Sequence, residues 1–411
     1  MLSDIRVVEL SAPETMMAGR ILSDLGADVI CVEPPGGAAG RRMEPFLGEA
    51  PGLERSLTWH ALNRGKRGIT LDPATADGRA LLAELAGAAD IVIEGAGPTA
   101  AAPSALGALP DRVIRCRVTP FLSDGAKRDY LGTDLVIAAA TGAPGATGLP
   151  ERPPLFHATP QTIMEGGAEA AIACLAALVA RDGDAEGRGQ TVEASRRLAG
   201  MLSALSIPVA AASGAPIPKR GPSRAKLAEV DLPAILPCAD GWVILTLAFG
   251  PAFGPLTGRL VGWAAETGAL PPRFAEIDWR EAPKLAETGA LTTADVRELV
   301  EGLARHCAAL DKESFAASAR RLGLLAAPLY DMHDILRSAQ FRERGLWSAP
   351  VPLGPGGPEV EDPARFFQSA AHRIEVARPA PALSEHTAEI LGGELGLAPA
   401  EIQALFVHGV I

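Results

Sequence analysis

Residues Asn63 to Ile69 read Asn-Arg-Gly-Lys-Arg-Gly-Ile, a cluster of cations around a glycine just ahead of a short extended run. Guanidinium and ammonium groups so placed make charge-assisted hydrogen bonds to phosphate oxygens. Asn63, Lys66 and Arg67 are therefore candidates to hold an anionic group, although an isolated run of this kind also suits a solvated surface. Arg41 and Arg42, just past the double glycine at Gly36 and Gly37, are further candidates for the same role. Two acids stand at expected helix starts. Thr133 fits an N-cap with Asp134 in the first turn, where the helix dipole favours a carboxylate; a catalytic role for Asp134 is the alternative. Glu165 opens an alanine-rich helix in the same manner.

The elements that must position these groups follow from the patterning. Ile5–Leu10 and Ala27–Glu33 are apolar, strand-like runs separated by a helical stretch through Leu25, a β-α-β opening that predicts a parallel sheet with helices on its faces. Asp77–Ala89 has helical spacing, and Asp90–Ile93 and Arg112–Val118 are two further buried strands. From Glu165 to Val179 nearly every residue is Ala, Ile, Leu, Cys or Gly, so this helix is expected inside a core. Gly183 and Gly187 mark a turn into a strand at Gln190–Ala194. Glu33, at the end of the second strand, suits a ribose contact. The first turn, Ser-Ala-Pro-Glu-Thr from Ser11 to Thr15, lacks the glycines that let backbone approach a pyrophosphate, so no NAD site is expected.

A net charge of −11 argues against a nucleic-acid surface. No run of 18 uninterrupted apolar residues exists, and the start MLSDIRVVEL has no basic region followed by a long apolar one. Neither a membrane span nor a signal peptide is expected. Cys31, Cys116, Cys174, Cys238 and Cys307 are widely spaced, with no zinc or disulfide pattern; they are expected to be small buried hydrophobes in a cytoplasmic protein, with no metal.

Several stretches resemble the family III CoA-transferases, the group of formyl-CoA transferase, carnitine CoA-transferase and α-methylacyl-CoA racemase. They are LGADVICVEPPGG at Leu25–Gly37, the Asn63–Ile69 run, Gly187–Glu193 (GRGQTVE), APLYD at Ala327–Asp331, QFRERGLW at Gln340–Trp347 and the closing segment Pro381–Ile411. The resemblance implies that Asn63, Lys66, Arg67, Arg41 and Arg42 lie on the CoA-binding side. It also implies a nucleophilic aspartate in the loop before the alanine-rich helix. Here that position falls on Ile163 or Thr162, and no Asp occurs between Gly148 and Arg181. Other site loops depart too: Pro13–Met16 ahead of the first helix, Glu94–Pro98, Thr119–Leu122, and Thr133 where racemases carry a histidine base. His386, within the closing segment, is read as structural.

The implied fold is α/β, a large Rossmann-like domain built from N- and C-terminal segments plus a smaller α/β domain, in an interlocked dimer. The expected boundaries are 1–205 for the first part of the large domain, 206–230 for a linker, 231–330 for the small domain and 331–411 for the return. In such a protein a carboxylate attacks an acyl-CoA thioester and CoA passes to a carboxylic acid. CoA is then a substrate. Glu165 is a substitute nucleophile in one reading, which requires the preceding loop to be re-formed. In another the chain is the non-catalytic subunit of a heteromeric transferase beside a paralogue. A lyase, hydratase or isomerase on the same scaffold and a non-enzymatic acyl-CoA-binding protein are the alternatives. Phe121, Phe156, Met16 and Met17 are candidates to line an acyl pocket, and core packing explains them equally well.

Overall fold

The computed structural model describes residues 1–96, 106–217, 220, 225–354, 356–363, 366–372, 374 and 378–411. The chain forms two compact units. The first comprises Met1–Thr147, Leu155–Pro218 and Arg342–Ile411; the second comprises Gly148–Pro154 and Lys219–Phe341.

The first unit runs β1 (Arg6–Leu10), α1 (Met16–Asp24), β2 (Asp28–Glu33), α2 (Leu57–Asn63), β3 (Arg67–Thr70), α3 (Ala76–Ala88), β4 (Ile91–Gly95), β5 (Ile114–Thr119), α4 (Asp134–Thr141), α5 (Gln161–Asp182), β6 (Thr191–Ser195), α6 (Arg196–Ser203) and α7 (Ser206–Ser213). All six strands are parallel, in the order β3-β2-β1-β4-β5-β6. The direction of winding reverses between β1 and β4, and beyond the carboxyl ends of such a pair lies the crevice in which open α/β sheets bind ligands.

Alternation along the strands divides the core into two layers. Val7, Val29, Ile91, Ile93, Ile114 and Cys116 pack with Ala170 and Cys174 of α5. Val8, Ile30, Ile69 and Val92 face the other way, onto Leu82 and Leu85 of α3 and the C-terminal residues Ile390, Leu391 and Ile411. Each such side chain contributes about 1.5–3 kcal/mol on burial. The chain therefore depends on its C-terminal segment to cover one face of a sheet made near its N-terminus.

Helix α5 has 22 residues and is apolar enough, by length and composition, to cross a membrane. Here it packs on α1, α6 and β5. Gly166 and Gly167 make that close approach possible: a Cβ at Gly166 would stand 2.5 Å from Cγ of Arg196, and one at Gly167 2.7 Å from Cβ of Met17. The expectation of a helix buried all round is corrected, because Ile172 is 58% and Val179 73% exposed. The stretch read as a linker from Ser206 opens instead with α7. Gly97, Pro98, Lys219 and Arg224 lie outside the described residues.

The second unit contains the short pair β7 (Lys226–Leu227) and β8 (Val230–Asp231), then the hairpin β9 (Ile235–Cys238) and β10 (Gly241–Leu245). Helices α8 (Gly250–Glu266), α9 (Ala282–Glu287), α10 (Thr293–Ala308) and α11 (Lys312–Leu322) follow, and β11 (Ala326–Leu329) completes an antiparallel sheet in the order β11-β10-β9. Val243, Leu245, Trp279, Phe274, Leu299 and Phe315 form its core.

All five cysteines are free and buried, as the sequence predicts.

Candidate active site

The cation-bearing loop leaves α2 at Asn63 and turns at Gly65, whose φ of +81° lies in the left-handed region that glycine tolerates. The turn carries Lys66 inward to the end of β1. Its Nζ donates to Glu9 Oε2 at 2.6 Å, to Asn63 Oδ1 at 2.8 Å and to the Met16 carbonyl at 2.9 Å, with no exposed surface. Thr15 Oγ1 donates to the other oxygen of Glu9 at 3.1 Å. Arg67 donates to both oxygens of Asp28, at 2.9 and 2.6 Å, and to Glu389 and Glu394 of the closing segment. Burial alone would lower its pKa, but its hydrogen bonds to Asp28 and Glu394 outweigh that and hold it above the ordinary arginine value.

Arg41 is similarly spent. It grips both oxygens of Glu33 at 2.6 and 2.8 Å, donates to Glu54 at 3.0 Å, and lies 3.9 Å from the centre of the Trp59 ring. Arg42 is different: it is exposed, and donates only to the carbonyls of Gly36, Gly37 and Ala38 among the described residues. The structure thus joins Asn63 and Lys66 through one buried network, places Arg41 and Arg67 in separate ion-pair clusters, and leaves Arg42 as the solvent-facing cation of the set. His386 accepts from the Gly68 N–H through Nδ1 and holds the closing segment against β3.

The second half of the site lies at the starts of α4, α5 and α6. Thr133 caps α4, accepting from the Val136 N–H at 3.4 Å. The first N–H groups of α5 need acceptors from outside the helix, yet the residue before it, Pro160, offers no side-chain cap. Asp134 supplies one from α4. Its Oδ1 accepts from Thr162 Oγ1 at 2.5 Å and from the Ile163 N–H at 3.2 Å. Both residues at which the resemblance places the missing aspartate are therefore buried and clasped by a carboxylate from a different helix. Asp134 Oδ2 is buried without a hydrogen-bond partner among the described residues.

Beside it lies Arg196, 2% exposed, which donates to the Gly132 carbonyl and leaves Nε without a partner among the described residues. Burial pulls the Arg196 pKa down, while the nearby charges of Glu14 and Asp134 oppose that. Glu14 is itself buried against Gly95: a Cβ there would stand 2.7 Å from its Oε1. The departing loops converge, Glu14 on Gly95, Pro120 on Gly132, and Gly132 on Arg196. Composition gave no reason to single out Arg196. The signal was a pair of arginines, Arg196 and Arg197, directly after a strand.

Glu165 sits one turn into α5, half-buried, with no hydrogen bond or ion pair to its carboxylate among the described residues. A Cβ at Gly200 of α6 would stand 3.2 Å from its Oε2. The absence of that side chain gives the carboxylate its room. An unpaired carboxylate at the carboxyl edge of the sheet can act as a nucleophile toward an activated acyl group. Among the described residues no group of three or more His, Cys, Asp or Glu could hold a metal ion.

Comparison with known proteins agrees with this architecture. The subunit BbsE of succinyl-CoA:(R)-benzylsuccinate CoA-transferase from Thauera aromatica is 27% identical over 421 residues, covering 100% of this chain and 98% of that protein. Succinate–glutarate CoA-transferase from Agrobacterium fabrum is 28% identical over 407 residues, covering 95% and 94%. The crystal structure of a CaiB/BaiF family protein from Brucella suis superposes with a TM-score of 0.75 at 26% identity, over 95% of this chain and 98% of that one. The family description CoA-transferase family III matches residues 2–387, and the chain belongs to that family.

Proposed function

We propose that this chain transfers CoA from an acyl-CoA thioester to a carboxylic acid, with Glu165 as the nucleophile. One observation carries the reading: Glu165 is the unpaired, partly exposed carboxylate at the start of α5, whereas Asp134 has one oxygen committed to Thr162 and Ile163 and the other closed off from solvent. A lone pair of Glu165 forms a C–O bond to the thioester carbonyl carbon, and the carbonyl π pair moves onto its oxygen. Collapse of that oxyanion expels CoA thiolate and leaves a mixed anhydride. The thiolate attacks the Glu165 acyl carbon of the anhydride, expelling the donor carboxylate and leaving a glutamyl-CoA thioester. The acceptor carboxylate attacks that thioester and expels the thiolate, which then takes the acceptor acyl group from the second anhydride and frees Glu165. Asp134 keeps the turn before α5 in place throughout.

On the CoA side, Arg42 meets the anionic ligand directly. Asn63, Lys66, Arg67 and Arg41 act from within, holding the loop and the glycine turn where backbone meets the ligand. The exposed apolar residues of α5 suit cover by a second chain, either another copy in an interlocked dimer or a paralogue. Five free, buried cysteines suit a reducing cytoplasm.

A second reading has its own support. Thr162 and Ile163, the positions where the resemblance expects the nucleophile, are buried and carry no carboxylate, and the relative from Thauera aromatica is named as a subunit; on that basis the chain supports a paralogue that carries the reactive carboxylate. Intact-protein mass spectrometry after incubation with acyl-CoAs and hydroxylamine, with and without such a partner, separates the two. A hydroxamate on Glu165 supports the first reading, and modification confined to the partner refutes it.

A further inference from the structure

A cleft of about 290 Å³ opens where β5 and β6 end, between the loop after β5 and the first turn of α6. Phe121, Leu122 and Leu198 wall it with apolar surface, and Lys127 and Arg197 bring two positive charges against the single acid Asp124. Neither cation has an acidic partner among the described residues. Arg197 donates its Nε to the Ala140 carbonyl at 3.3 Å, and Lys127 lies 5.8 Å from the ring centres of Phe121 and Tyr130. The start of α6 adds the positive end of a helix dipole. Of the four residues considered for an acyl pocket, Phe121 alone belongs here; Met16 is fully buried elsewhere and Phe156 is 45% exposed.

We propose that this cleft binds the acid substrate, a small carboxylic acid with an apolar body whose carboxylate pairs with Arg197 and Lys127. The assignment rests on the transferase reading above and extends it to a subsite. Three physical points carry it. The volume is at the lower end of ligand sites, too small for CoA and suited to a small organic acid. An apolar wall with cations at its rim selects an amphiphilic anion over a phosphate, because Phe121, Leu122 and Leu198 bury an organic body and offer it no donors. The position, beyond the carboxyl ends of β5 and β6, is on the ligand-binding side of the sheet, two strands along from the β1–β4 switch point. Arg197 directly follows Arg196, whose Cγ would lie 2.5 Å from a Cβ at Gly166, so the start of α6 that lines the cleft packs against the start of α5.

The test uses the full chain in its native assembly, with benzoate, hexanoate, succinate and glutarate as probes. Binding is measured by calorimetry for wild type, Lys127→Gln, Arg197→Gln, the double variant and Leu122→Trp; CoA binding and CoA transfer are measured alongside. Lys127 is exposed, so its replacement does not threaten folding, and Leu122→Trp fills the cleft without altering charge. At least one acid is expected to bind wild type, at least tenfold more weakly to the double variant and not detectably to Leu122→Trp, with CoA affinity within twofold throughout. Binding of none of the four acids to wild type, or equal binding to wild type and the double variant, overturns the proposal. Lost acid binding in a protein that transfers no CoA would leave the acid site standing and remove the transferase reading. Unchanged KM for the acid in an active double variant would remove the acid site alone.

Discussion

Replacing Lys66 by Met separates a ligand-binding lysine from one that holds the fold. Lys66 and Glu9 are both fully buried and 2.6 Å apart. Removing the ammonium strands a carboxylate in the interior with, among the described residues, only the Thr15 hydroxyl for support, a change that costs about 3–5 kcal/mol. Two units need not unfold together, so a single melting midpoint is a poor measure. Hydrogen exchange of peptides covering β1 and β3 reports the local free energy instead. At 1.4 kcal/mol per tenfold, the expected acceleration is roughly 10²- to 4 × 10³-fold. A second substitution, Glu9→Leu on top of Lys66→Met, removes the stranded charge and should recover most of the protection, since an apolar replacement of a buried pair is often neutral. Full protection in Lys66→Met, together with lost CoA binding, would refute the structural assignment and return Lys66 to direct ligand contact.

Further outcomes test the rest of the site. Arg42→Gln should weaken CoA binding about tenfold with melting unchanged, because its bonds run only to three nearby carbonyls among the described residues; an unaltered affinity by calorimetry would remove it from the CoA side. Glu165→Gln should abolish the hydroxamate and turnover while leaving stability within about 0.5 kcal/mol; full activity in that variant would eliminate the nucleophile. Asp134→Ala strands the Thr162 hydroxyl and the Ile163 N–H, costing about 1–3 kcal/mol for each group, and hydrogen exchange should rise first at the start of α5. Burial pushes the Cys307 thiol from 9.0 up to about 12. A folded pKa above the unfolded one means stability is complete below pH 9 and is lost as pH rises toward 12. Cys307→Ala should flatten that alkaline loss in a urea titration of the second unit.

Much of the fold was legible because its signals are local. The β-α-β opening, the glycine turn into β6 and the strand at β4 each follow from periodicity and punctuation within a few residues. The capping of α4 by Thr133 follows for the same reason. The cysteines could be expected inside because most of them sit in apolar strands or helices. What local pattern could not supply was which face of α5 stays open. An all-apolar helix has no polar stripe to point outward, so only its neighbours α1, α6 and β5 decide that Ile172 and Val179 remain exposed.

The site divides in the same way. From sequence alone come the family, the candidate cations and acids, and the absence of an aspartate before α5, since these depend on residue type and order. Tertiary structure alone decided what each charge meets. Lys66 finds Glu9 57 residues away, Arg67 finds Glu394 327 residues away, and Asp134 reaches across 28 residues to cap a helix that has no cap of its own. Charges separated so far along the chain act on one another only after the sheet has brought its strands' carboxyl ends together, because their interaction falls with distance in space and not in sequence.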